Sequence, residues 1–122
     1  MGKRVSTVLG TLAASFMLAI VTPSSAWAAD NILEDERERG WFMYSRSCGS
    51  VYSLELTTTR AVGIKHNSGC AGHVWVRMYG DSWGDWRHDS REKTLTSPRG
   101  KFKKALIKGC ADCHAYTVYP KN

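Results

Sequence analysis

The sequence predicts an all-β fold, a small antiparallel β-sandwich with two disulfides. Three observations carry that reading. From Gly40 onward, aromatic and β-branched residues fall in short runs with a period of two, separated by Gly, Asn, Ser and Pro. Beyond the first 28 residues no stretch is a long amphipathic helix. Four cysteines, Cys48, Cys70, Cys110 and Cys113, make an even count in a short chain, which reads as a disulfide framework supplementing a modest core.

Taken in order, the 122 residues divide into three. Residues 1–4 are basic, 5–21 mostly apolar and 24–28 mostly small, so 1–28 reads as a secretory signal peptide. Its apolar stretch is too short and too broken by Ser, Thr and Gly to span a bilayer. The expected location is therefore extracellular, with no membrane contact after cleavage. Segment 29–39 contains DNILEDERER, where Ile32 and Leu33 are the only apolar groups. So little burial does not offset the ordering of the backbone, and a flexible acidic arm is expected. Residues 40–122 form the sandwich domain. Charge follows the same division: 30–39 hold five acids and two arginines, a net of −3, whereas 40–122 hold 13 basic and six acidic residues, a net of +7.

Within the domain, Tyr52, Leu54 and Leu56 alternate with Ser53, Glu55 and Thr57, the pattern of a half-buried strand. Val62-Gly63-Ile64 is a second strand, and residues 65–69 have the composition of a turn. In 74–79, Val74, Val76 and Met78 alternate with Trp75, Arg77 and Tyr79, all good strand formers. Residues 80–91 read as a loop carrying Trp83 and Trp86, and 92–96 as a short strand. Over 101–108 helical and alternating spacings compete, and strand is favoured. A last extended run, 114–119, ends at Pro120. About six strands result, which suits a small sandwich.

Cys110-Ala111-Asp112-Cys113-His114 has the spelling of a c-type haem attachment site. Its surroundings lack the helices that wrap a haem, while a four-residue turn brings its ends within about 7 Å, close enough for a disulfide. Three cysteine pairings are formally possible. The expected one is Cys110 with Cys113 and Cys48 with Cys70, the latter closing a loop worth about 3 kcal/mol in the chain-entropy model. No cofactor and no metal are expected. A c-type cytochrome remains the alternative that this motif raises.

The remaining chemistry is sparse, and no catalytic residue is assigned. Glu55, Arg77 and His88 fall in the chain order of the catalytic Glu, Arg and His of small secreted ribonucleases, set against the reading of solvated strand and loop residues. No nucleic-acid partner is expected. Trp75, Trp83 and Trp86, with Tyr79 nearby, offer an aromatic platform to sugar rings or to a protein partner, set against the reading that Trp83 and Trp86 fold back over one open face of a thin sandwich. Lys101, Lys103 and Lys104, with Lys108, form the densest positive cluster, suited to nucleic acid, an anionic cell-wall polymer, an acidic protein or the acidic arm itself, and equally explained as a solvated strand or turn.

The stretch Ser68-Gly69-Cys70-Ala71-Gly72-His73-Val74-Trp75-Val76-Arg77-Met78-Tyr79 resembles the segment after the second cysteine in tendamistat-like proteinaceous α-amylase inhibitors. That resemblance implies an exported, actinobacterial, two-disulfide β-sandwich. The Trp-Arg-Tyr triplet those inhibitors carry between their first two cysteines is absent from 49–69. In layout alone, an N-terminal arm before a small β-domain, the chain is similar to the adapter subunits of secreted umbrella-type toxin particles. The expected function is accordingly non-catalytic binding of another secreted protein, as an adapter or subunit of an extracellular toxin-type complex. Its arm would contact the partner through Ile32, Leu33, Glu34, Asp35 and Glu36, and the tryptophans and lysines above would form a further interface. Inhibition of an exported hydrolase is the alternative.

Overall fold

The computed structural model describes residues 30–121, so the signal-peptide reading of 1–28 lies outside the described residues. Nine strands follow one another: β1 (Asn31–Glu36), β2 (Trp41–Ser45), β3 (Val51–Leu56), β4 (Arg60–Lys65), β5 (Val74–Tyr79), β6 (Arg87–Asp89), β7 (Glu92–Thr96), β8 (Lys104–Lys108) and β9 (Tyr116–Val118). One turn of 3-10 helix, Arg37–Arg39, joins β1 to β2. They form a five-stranded sheet, β1-β2-β3-β4-β7, and a four-stranded sheet, β9-β8-β5-β6, antiparallel throughout. The all-β sandwich with two disulfides is the observed fold. Cys48 bonds to Cys70 and Cys110 to Cys113, with Cα separations of 5.1 and 5.0 Å.

Alternation builds the core. Tyr52, Leu54 and Leu56 of β3 are buried across from β8 with its Ala105 and Ile107, while β4 lies across from β5 with its Val74, Val76 and Met78. Each large apolar side chain so buried contributes roughly 1.5–3 kcal/mol. At one end an aromatic stack crosses between the sheets: Tyr52 on Tyr44, Tyr44 on Phe42, and both Tyr44 and Phe42 against Tyr116 of β9, with centroids 4.7–5.6 Å apart. Burial, joined by the Asp30 carboxylate, pushes the Tyr116 phenol up to about 12. Tyr44 is 1% exposed and burial raises its phenol further still. At Gly63 of β4 the facing sheet leaves no room for a side chain, since a Cβ there would collide with a Val76 methyl.

The acidic segment expected to be a flexible arm is an edge strand, and this corrects the arm boundary drawn at residue 39. β1 pairs with β2 from Asn31↔Ser45 to Glu36↔Trp41, with a register shift between Ile32 and Glu34. Its side chains stay exposed, so the composition was read correctly. What orders it is backbone pairing plus local side-chain links: Arg37 to both Asp35 oxygens, Arg39 to Glu36, and the Trp41 indole N–H to Glu34. None of these needs apolar burial. Nor does the arm rest on the lysine cluster.

Two further strands go beyond the six expected. In Trp41-Phe42-Met43-Tyr44-Ser45 the apolar residues run almost continuously, so the alternation of burial shows only once the sheet exists. Arg87–Asp89 lies within the expected loop and holds no apolar residue; pairing with β5 makes it a strand.

The chain ends close the fold together. The Tyr119 N–H donates to the Arg37 carbonyl, Lys121 to Leu56, and Leu56 to Gly40. Gly40 has φ of 87° and a Cβ there would collide with the Leu56 carbonyl oxygen and the Lys121 backbone. Only glycine fits that crossing.

Candidate binding face

The pleat of the four-stranded sheet sorts its side chains into two sets. Val74, Val76 and Met78 go inward, so Trp75, Arg77 and Tyr79 go outward. Across the ladder Trp75 opposes Lys108, Arg77 opposes Leu106 and Tyr79 opposes Lys104. On the other side His88 of β6 opposes Trp75. One face thus alternates aromatic rings with cations.

The loop after β5 completes it. The Gly84 N–H donates to the Met78 carbonyl at 2.9 Å, Trp83 bridges back to Tyr79, and Arg77 Nε donates to the Gly84 carbonyl at 2.8 Å. The loop is thereby folded over its own strand, and Trp83 and Trp86 come down beside Arg77. The Arg77 guanidinium lies 4.9 Å from the Trp83 ring and 6.0 Å from Trp86. Lys108 Nζ is 4.1 Å from Trp86 and 5.4 Å from Trp75, while Lys104 Nζ sits 5.3 Å from Tyr79 and 5.4 Å from Trp83. Six of the cation–ring contacts lie on this face. Each is worth about 0.5–1 kcal/mol where exposed. The ring of His88 stacks on Trp75 at 3.9 Å, and its Nδ1 is 2.8 Å from that of His73. Beside it, the backbone N–H groups of Arg91 and Glu92 hold the Asp89 carboxyl below its usual range.

Electrostatically the face is uncompensated. Among the described residues, ion pairs join Arg37 to Asp35, Arg39 to Glu36 and Lys101 to Asp81; none reaches Arg77, Lys104 or Lys108. These three cations are balanced by ring quadrupoles, not by carboxylates. The rings in turn are held by cations on their faces.

The expected interface residues are therefore partly brought together. Trp75, Trp83, Trp86 and Lys104 share the face, and Trp83 is 39% exposed. Trp83 and Trp86 lie over the outer side of the sheet and remain partly exposed there. Lys101 is drawn away to Asp81 at 3.1 Å, and Lys103 is exposed with its backbone N–H donating to the Tyr79 carbonyl. Arg77, Lys108 and His88 were not grouped with the tryptophans. For Arg77 and Tyr79 the strand alternation carried the signal; Lys108 needed the β5–β8 register.

Other expectations resolve geometrically. Glu55 points out from the five-stranded sheet while Arg77 and His88 point out from the four-stranded one, so the ribonuclease-like set does not converge. The sulfurs of Cys110 and Cys113 are bonded to each other, and the Cys113 N–H closes the turn onto the Cys110 carbonyl at 3.2 Å. The haem-like spelling is a disulfide-closed turn, with His114 edge-on to Tyr116. In β1, Ile32 and Leu33 are 45% and 48% exposed on an edge that no other described strand covers. No protein-family model, curated protein or solved structure matches this chain.

Proposed function

We propose that this chain is an exported, non-catalytic protein-binding module, an adapter or subunit of an extracellular toxin-type assembly, that docks its partner on the cation–aromatic face. The observation that carries this reading is the set of cation–ring contacts whose cations have no carboxylate partner. Trp, Tyr and Arg are the side chains that most often dominate binding energy at interfaces, and here all three are held rigid before any partner arrives. A fold that needed them only for its core would have turned them inward.

The exposed Ile32 and Leu33, with Glu34, Asp35 and Glu36, offer a second contact. Because β1 is already paired with β2, a partner would extend an existing sheet edge, with no arm left to order. Inhibition of an exported hydrolase is the second reading of the same face, favoured by the two-disulfide sandwich.

Capture from culture fluid tests the proposal. Trp83→Ala and Arg77→Ala should each weaken capture about tenfold or more while shifting stability by less than about 1 kcal/mol. Undiminished capture by both variants would remove the face from the function. Loss of a purified hydrolase's activity on addition of the chain would select the inhibitor reading.

A further inference from the structure

We infer that the cation–aromatic face recognises an extended acidic peptide whose carboxylates fall on alternate residues. The inference rests on the protein-binding role proposed above and names the partner's chemistry. Its basis is the spacing that the ladder imposes. Lys108 lies opposite Trp75, Arg77 opposite Leu106, and Lys104 opposite Tyr79. The three cations therefore zigzag between two neighbouring strands, each two residues beyond the last along the strand direction. At a rise of about 3.3 Å per residue the step along the strand is about 6.6 Å.

An extended peptide carries its i, i+2 and i+4 side chains on one side at that same step. Three alternating carboxylates meet the three cations with neither chain bent. Consecutive carboxylates alternate between sides of the peptide and present only part of their charge to the face. Arg77 has the further advantage that only its Nε is engaged by the Gly84 carbonyl, which leaves its terminal nitrogens for a two-point carboxylate contact. The small residues between the acids would rest against the exposed part of Trp83.

The same geometry separates a peptide from a single-stranded nucleic acid. Nucleic acid would use the aromatic rings as stacking platforms for its bases. Here Arg77 and Lys104 lie over Trp83, and Lys108 over Trp86 and Trp75. Those ring faces are already occupied. Arg77, Lys104 and Lys108 stay partly exposed between the rings they cover, and a ligand is read by its anions.

Tryptophan fluorescence of the full chain, titrated with short synthetic probes, tests this. The probes are a peptide with three glutamates separated by single threonines, a peptide of the same composition with the glutamates contiguous, and an oligouridylate. The alternating peptide should bind about tenfold tighter than the contiguous one. Arg77→Ala and Lys108→Gln should each cost about tenfold, and Lys101→Ala, whose lysine is already paired with Asp81, should cost nothing. Thermal melts of the variants confirm that they fold. Equal affinity for the two peptides, or tighter binding of the oligouridylate, would overturn the inference. If alternation is not read but partner capture still falls in Arg77→Ala or Trp83→Ala, the inference fails and the docking role stands; if capture is unaffected in both variants, both fail.

Discussion

On the outer side of the five-stranded sheet, Ser53 is 1% and Val62 7% exposed, although both point away from the core. Trp41, Met43 and Ile64 are half-buried around them, and His66 Nε2 lies 2.8 Å from the Ser53 hydroxyl. The outer side of the four-stranded sheet keeps its large rings at the surface and threads them with cations. Both are built on the same pleat, so the contrast comes from the choice of outward residues. Aliphatic groups packed around a hydrogen-bonded serine let one surface seal itself and add to stability. Rings and cations that cannot bury completely keep the other available.

A single introduced carboxylate should break the symmetry most strongly. Val62→Asp places an unpaired charge in the sealed surface across from Glu55 and should destabilise the domain by about 3 kcal/mol. Leu106→Asp puts the same charge between Lys104 and Lys108 and should cost about 1 kcal/mol or less. Denaturant titration of both variants reads the difference, and equal losses would erase it. The disulfides sharpen the comparison next. Replacing Cys48 and Cys70 by alanine should cost about 3 kcal/mol, against about 2 kcal/mol for the short Cys110–Cys113 loop.

The smallest of these effects lies in the seam between the sheets. Tyr44 and Tyr116 have phenols raised above the value near 10 expected of an unfolded chain. The stability they contribute is fully present below about pH 10 and is lost above it, the Tyr116 share as pH rises through about 12. Denaturation midpoints should fall over that window, and less steeply in Tyr116→Phe. A fall of the same steepness would detach Tyr116 from the alkaline transition.

Alternation made β5 legible, and with it the outward placement of Trp75, Arg77 and Tyr79. Close spacing did the same for the Cys110–Cys113 turn. The lysines were grouped by their nearness along the chain, yet the ladder sends Lys101 to Asp81 and sets Lys108 beside Trp75. Such register is a long-range property, absent from any local window. β1 was missed for a different reason: hydrophobic content measures burial, whereas an edge strand is ordered by backbone pairing that a polar sequence makes equally well.

The crossing at Gly40 has a consequence for the timing of folding. A chain made N-terminus first presents Arg37, Gly40 and Leu56 early, but Tyr119 and Lys121, which donate to Arg37 and Leu56, arrive much later. The hairpin can form as soon as it emerges; its lock cannot. Closure of this small sandwich is thus a whole-chain event, with the high contact order and slow folding that such closure entails.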